Sequence, residues 1–540
     1  MSSGAAGGTA VATSGVVLPT LAAGQFLMTL DSSVMNVSIA TVAADVGTDV
    51  TGIQSAITMY TLVMAALMIT GGKLGQIMGY QRAFALGCVI YGAGSLLTSL
   101  APNLAVLLLG WSVLEGVGAA LILPAIVALV ASNFDRSARP RAYGLVAASG
   151  AIAVAVGPLI GGALTTYASW RWVFAGEVVV VLGILALTRR MAAPPPVPGT
   201  RLDLGGTGLS ALGLVLVVYG ILRAGAWGFV NPKPGGPVWF GLSPVLWLVI
   251  AGGLVLLGFL GRERRRRDRG QPVLIDPAML DNRRLRGGLT AFGFQYLLQA
   301  GLFFTVPLFL SVALGLSAVD TGVRILPLSV SLLVAAVGIP RFLPRASPRR
   351  VVRFGFLSLL VGLVVLAAAL ELGAGPEIVT VPMLLAGLGI GALASQLGAV
   401  TVSAVPDEQS AEVGGLQNTI TNLGASIGTA LAGAVLISQL TTSFLTGVRD
   451  NPAVPDAVFE QAQVQLAAGV PFVSDAQLSQ SLAAAGVDQQ QADAIVAENE
   501  QARLDGLRAA LALLAILALV ALFVARRIPD RQPDDTDLAD

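Results

Sequence analysis

Apolar stretches, each closed by a charged or Pro/Gly-rich break, recur along nearly the whole chain. Most are long enough to cross about 30 Å of hydrocarbon as a helix. Read against those breaks, the pattern predicts fourteen spans: 17–40, 53–72, 83–101, 104–130, 141–166, 171–188, 206–224, 242–260, 287–313, 320–341, 351–371, 377–403, 411–440 and 506–526. The seventh and eighth are joined by "RAGAWGFVNPKPGGPVWFG", rich in Pro, Gly and Trp. One polar interval is long, residues 441–505, with nine acids (Asp450, Asp456, Glu460, Asp475, Asp488, Asp493, Glu498, Glu500, Asp505) against Arg449 and Arg503. Within it "DAQLSQSLAAAG" and "QQADAIVAENEQARLDGL" read as short polar helices of a solvated cap.

Composition agrees with a polytopic membrane protein. Of 540 residues, 55% are hydrophobic and 12% charged, with mean hydropathy +0.79. A water-exposed surface needs far more charge. The start, "MSSGAAGGTAVATSG", lacks the basic region of a cleaved secretory signal, so the first span is expected to be retained. Arg and Lys cluster in alternate connections: "GGKLGQIMGYQR", "DRSARPR", "RRMAAPPPVPGTR", "GRERRRRDRG" with "DNRRLR", "PRFLPRASPRRVVR" and "ARRIPDR". Cationic loops stay in the cytoplasm, which places both termini there. The run "RERRRRDR", directly after a span, reads as a topology determinant touching anionic lipid rather than nucleic acid. The preference for Arg over Lys fits a GC-rich bacterial genome and hence a bacterial cytoplasmic membrane.

Composition also removes chemistries. A lone Cys88 excludes an intrachain disulfide framework, and the absence of histidine removes imidazole metal sites and histidine proton relays. Proton chemistry inside the membrane must then use Asp or Glu. Three acids interrupt apolar spans. Asp31 lies roughly 20 Å in from the cytoplasmic end of the first, Glu115 about 17 Å from the outer end of the fourth, and Glu177 about 9 Å from the outer end of the sixth. Such acids face protein or water and mark ion or substrate paths, or else tie helices together as hydrogen-bonded acids. Desolvation favours their neutral form.

"LDSSVMNVSIA", "GGKLGQIMGYQR", "LLLGWSVLEGVGAALILPA" and "SGAIAVAVGPLIGGAL" together resemble motifs of the Major Facilitator Superfamily, in particular of its fourteen-span drug:proton antiporter branch. "LDSSVMNVSIA" is similar to the first-span signature with an acid and an Asn five apart, Asp31 and Asn36. "GGKLGQIMGYQR" resembles the Gly-rich loop after span two, with Gly72, Gly75, Gly79 and Arg82. "LLLGWSVLEGVGAALILPA" resembles the fourth-span motif, and "SGAIAVAVGPLIGGAL" the fifth-span antiporter motif with Gly150, Gly157, Pro158, Gly161 and Gly162. "SWRWVF", "LGLSAVDTGVRILPLS" and "GLQNTITNLGASIGTAL" follow in the branch's order.

The resemblance implies an all-α fold of two six-helix bundles about a central cavity, residues 1–190 and 287–540, with two inserted helices in 191–286. It implies alternating access and efflux of small lipophilic or cationic compounds against protons. Small residues spaced as Gly150, Gly157 and Gly161 allow close helix approach, and that stripe is expected to form the sliding surface between bundles.

The chain departs from the pattern at five places. Gln76 replaces an Asp, Ser112 and Thr421 replace Arg, and Glu115 and Glu177 stand where Gln and Asn are usual. The expected cavity is therefore more anionic, suited to cations or to moving more than one proton. For substrate contact the candidates are Asn36, then Gln295, Tyr296, Gln299 and Phe303 in "GFQYLLQAGLFF", and Gln396, Asn418 and Asn422. Amides with aromatics orient a lipophilic ligand, though they can equally bond between helices. Arg324, near a span end, snorkels. No phosphate-binding loop, cofactor site or nucleophile with a base is visible, and a monomer that is not an enzyme is expected. Export of one native lipid or metabolite, and a non-transporting sensor built on the acidic cap, stand as the rival readings.

Overall fold

The computed structural model describes residues 6–134, 139–191, 202–233, 235–343, 345–402, 404–405, 410–454 and 472–530. The first four residues of "DRSARPR", most of "RRMAAPPPVPGTR", and Asp456 and Glu460 lie outside them. Among the described residues the protein is helical, with one isolated bridge between Trp239 and Leu242.

Helix starts follow local chemistry. Helix α1 is Ala6–Asp45 and α2 is Val50–Met78, whose Asp49 cap accepts from the Gly52 amide at 2.8 Å. Gly79, at φ 91°, ends α2 and lets α3, Tyr80–Ser99, begin at once. Helix α4 is a composite: a turn Leu104–Leu107 capped by Asn103, a π-helical stretch Leu108–Glu115, and Gly116–Asn133. Then come α5 Arg139–Tyr167, α6 Arg171–Thr188, α7 Leu204–Trp227 and α8 Pro244–Asp268. Helix α9, Arg283–Leu308, runs on as a π-turn to Ala313. It is followed by α10 Ala318–Phe342, α11 Pro348–Ala369, α12 Thr380–Val402 and α13 Ser410–Asp450. The short α14, Asp475–Ala484, opens on a Ser474/Gln477 capping box, and α15 is Gln489–Val524.

Twelve of these helices are long and apolar enough to cross a membrane. The other two expected spans correspond to α3 and α5. Helix α3 is diluted by Gly87, Gly92, Gly94, Ser95, Thr98 and Ser99, while α5 runs 29 residues with an apolar part that includes Ile152–Tyr167. The polar interval is smaller than expected, because α13 continues to Asp450 and α15 begins at Gln489. "QQADAIVAENEQARLDGL" is thus the first half of a long helix, not a separate short one. Ser443 of α13 and Asn451 just past it bond Asp505 and Glu498 of this stretch (3.1 and 2.8 Å), and Ala502, Leu504 and Leu507 are buried, which explains the continuity.

Helices α1–α6 pack among themselves, as do α9–α13 with α15. The two groups meet along α2–α13 and α5–α10, and the α7–α8 pair rests on α2 and α13. Gln54 of α2 donates to the Thr429 and Ala430 carbonyls of α13 (3.2 and 3.4 Å), and Ser426 donates to Thr58 O (3.2 Å). Along the other seam Ser329 donates to Val154 O (3.2 Å) and the Val319 amide to Thr166 Oγ1 (3.2 Å). These bonds run from the middle of the helices toward the end that carries the 46–49, 168–170 and 314–317 turns.

Candidate functional site

Asp31, Glu115 and Glu177 come from α1, α4 and α6, yet one carboxylate oxygen of each lies within 4.8 Å of the others. All three are sealed from solvent, with exposures of 0, 0 and 2%. Close helix approach produces this convergence. A Cβ on Gly94 of α3 would sit 2.7 Å from Glu115 Cγ, so only glycine admits the glutamate there. The π-helical stretch of α4 holds Trp111, Ser112 and Glu115, all buried. Irregular turns of this kind recur at functional positions in helices.

Each acid has neutral company. Trp111 donates its indole N–H to Asp31 Oδ1 (2.9 Å) and Oδ2 (3.0 Å), and its ring stacks on Tyr60 of α2 with centroids 5.0 Å apart. Thr98 Oγ1 lies 3.3 Å from Glu115 Oε1. Ser95 Oγ and the Tyr91 hydroxyl lie 3.1 and 3.4 Å from Glu177 Oε2. Ser112, where the resemblance implies an Arg, donates instead to Ala56 O at 2.8 Å and ties α4 to α2. Among the described residues no Lys or Arg pairs with these acids. Two charges 4.8 Å apart repel by about 3.5 kcal/mol at an effective dielectric near 20, so full ionisation of the trio is strongly disfavoured. The oxygens have a cation-like spacing, but an indole N–H turned on both Asp31 oxygens competes for those lone pairs.

Helix α1 is polar on a second face. Gln25, Thr29, Ser32 and Asn36 follow one another at helical spacing, all half-buried, and Asn36 donates to Ser32 O at 2.9 Å. Five residues rotate a helix by about 140°, so Asn36 points well away from Asp31. The amide candidates belong to the second helix group. Gln295 is buried with Oε1 unpartnered, and Gln396 is buried beside Ser395. Asn422 donates to Asn418 O at 2.8 Å. Gln299 and Phe303 are half-buried, as is Tyr296, whose ring stacks on Phe292. Their described hydrogen bonds do not reach the acid cluster.

The glycine motif on α5 divides by face. A Cβ on Gly157 or Gly161 would meet Ser33 (2.4 Å) or Val34 (2.8 Å), and one on Gly150 would touch Gln25 (3.4 Å), all on α1 within the first group. The stripe is therefore not the surface between groups. One residue round the helix, Gly162 would place a Cβ 2.5 Å from Ala318 O, and Gly322 would place one 2.3 Å from Pro158 O. Pro158 and Gly162 face α10. In the loop motif Gly79 makes the turn, Gly75 accommodates the Tyr80 ring, Gly72 stands beside Pro124 and Arg82 is exposed.

Sequence reasoning missed Tyr60, Tyr91, Ser95, Thr98 and Trp111. A usable signal existed for Trp111: it stands four residues before Glu115 in an apolar run, and a buried indole N–H needs an acceptor.

The family model described as Major Facilitator Superfamily matches residues 21–429. The puromycin resistance protein pur8 of Streptomyces alboniger is 31% identical over 81% of this chain and 84% of its own length. The tetracenomycin C resistance and export protein of Streptomyces glaucescens is 28% identical over 81% of each chain. The putative multidrug resistance protein MdtD of Serratia proteamaculans is 25% identical, covering 81% of this chain and 87% of that one. Among solved structures, a bacterial homologue of the human lysosomal transporter Spinster superposes with TM-score 0.60 at 14% identity, covering 95% of this chain and 97% of that one. That likeness is one of fold.

Proposed function

Since the chain belongs to the Major Facilitator Superfamily, we propose that it exports small lipophilic or cationic compounds in exchange for protons, with Asp31 as the group that exchanges. Relatives named for resistance and export support the efflux part. The observation that carries the proton part is the meeting of Asp31, Glu115 and Glu177 in a buried cluster without a basic partner among the described residues. Such acids can take a proton, become neutral and pass through a low-dielectric state.

The cycle uses alternating access. Helices α1–α6 form one rocking body and α9–α13 with α15 the other, with α7–α8 between them and both termini in the cytoplasm. Compound leaves to the outside as Asp31 takes up a proton, and the neutral site permits return. One charge crossing 100 mV supplies about 2.3 kcal/mol before any pH difference is added. The polar α1 stripe at Asn36 and the Gln295, Tyr296, Gln299 group line the path for the compound.

Several relatives carry the name of one compound, such as puromycin and actinorhodin, which favours a single native product as the second reading. Proteoliposomes under an imposed pH gradient test the function. Ethidium movement that follows the gradient, collapses with a protonophore and is lost in Asp31→Asn is expected. Movement indifferent to the gradient refutes proton exchange, and no movement of ethidium, puromycin or other tested compounds favours a sensor.

A further inference from the structure

Hydrogen-bond wiring distinguishes the three acids. An indole N–H can only donate, so Trp111 is a partner for a carboxylate at Asp31. The hydroxyls beside the glutamates are differently committed. Each carries a single hydrogen. Thr98 Oγ1 lies 2.9 Å from Gly94 O, closer than its 3.3 Å approach to Glu115 Oε1. Ser95 Oγ lies 3.2 Å from Tyr91 O and 3.1 Å from Glu177 Oε2. With its hydrogen on Gly94 O, Thr98 can only accept from Glu115, whereas Ser95, almost equally near Tyr91 O and Glu177 Oε2, and the Tyr91 hydroxyl can each donate to or accept from Glu177. A glutamate that must donate is a carboxylic acid.

A second observation agrees. Glu115 Oε2 and Glu177 Oε1 are buried without a partner, as is the neighbouring Tyr60 hydroxyl. An orphaned oxygen is far less costly as the carbonyl of a neutral acid than as half of a carboxylate. The groups facing the pair are Asp31 on α1, Tyr60 on α2, Tyr91, Ser95 and Thr98 on α3, and Trp111 on α4. None of them is a cation that would hold two further negative charges.

We propose that Glu115 and Glu177 form a resident proton-binding site, each keeping a proton, with Glu115 donating its own to Thr98, while Asp31 is the one member of the cluster that ionises. The proposal rests on the proton-exchange reading and limits it to one ionisable group. The two glutamates become positioning residues: they present a neutral, hydrogen-bonding wall to Asp31, so that the cluster carries one negative charge instead of three.

Infrared difference spectroscopy of the full chain in lipid films tests this through the C=O stretch of protonated carboxyl groups, which is separate from the carboxylate bands. At neutral pH two buried acid bands are expected. Both should shift on 13C-glutamate labelling of the wild-type chain, which assigns them without any substitution. Glu115→Gln and Glu177→Gln should each remove one band, and Asp31→Asn should remove neither. Fewer than two glutamate bands, or loss of a band in Asp31→Asn, overturns the proposal. Flux indifferent to a pH gradient would instead sink the proton-exchange reading and leave the band count to be judged by itself.

Discussion

Trp111 holds Asp31 by both oxygens: its Nε1 stands 2.9 Å from Oδ1 and 3.0 Å from Oδ2, on a ring stacked against Tyr60. The resemblance implies an Arg at the next position, where this chain has Ser112. A neutral donor steadies a carboxylate without fixing it as a permanent ion pair. In the proposed cycle this leaves Asp31 free to exchange its proton, at the cost of weaker stabilisation of the charged form.

Trp111→Phe keeps the ring stack and removes the N–H. A hydrogen bond to a charged group contributes about 1.5–3 kcal/mol, so ethidium transport should fall roughly 10- to 100-fold with little loss of expression. Trp111→Ala also empties core volume and should cost a further ~3 kcal/mol, visible as a lower melting temperature. Transport at the wild-type rate in Trp111→Phe would show that the bond does not matter.

Gly162→Val tests the α5–α10 seam. Its Cβ would fall 2.5 Å from a backbone carbonyl, Ala318 O, which has no rotamer to yield. Overpacking of this kind costs about 1–3 kcal/mol and should favour states in which the seam is parted. Spin labels at exposed Tyr167 and Asp320 should report a longer distance than in the wild type. Gly161→Val, aimed at Val34 inside the first group, should strain packing without moving those labels apart.

Gln54→Leu tests the opposite seam. The buried amide donates to two carbonyls of α13, and removing it leaves both without that donor. Interhelical bonds in membranes are worth about 0.6–2 kcal/mol. The wild-type conformation should therefore lose roughly a factor of 3 to 30 in population, read by crosslinking between cysteines placed on α2 and α13.

Asp203, just before α7, gives a pH prediction outside the membrane. Burial alone would push its carboxyl up, but the Arg262 donor at 2.7 Å and nearby Arg266 outweigh it and hold it below the usual range. A depressed value means that the contribution to stability is present above about pH 4 and is lost as pH falls through the folded-state value. Because Arg262 is partly exposed, the effect should be at most about 1 kcal/mol. Melting temperatures of wild type and Asp203→Asn should differ near neutrality and converge in acid.

Much of the fold was legible in the sequence because hydrocarbon demands long apolar helices, and breaks between them are chemically distinct. The span that falls short, α3, does so for a reason: its small residues serve close packing, as where Gly94 admits Glu115 and Gly87 meets α4. Asp31, Glu115 and Glu177 stood out singly, since acids in apolar runs are rare. Their convergence did not, because it depends on helix rotation and on Gly94 admitting Glu115. Rotation also decided the fate of the α5 stripe, where a single residue separates Gly161, facing α1, from Gly162, facing α10. The polar companions were hidden because Ser, Thr and Tyr are common in membrane helices and carry no signal without their neighbours.

Proton release on ligand addition tests the central claim most directly. Purified protein in weakly buffered solution is titrated with ethidium while pH is followed, comparing wild type with Asp31→Asn. Release from the wild type that saturates with binding and disappears in Asp31→Asn is expected. Binding without release in the wild type, or undiminished release from Asp31→Asn, would contradict exchange at Asp31.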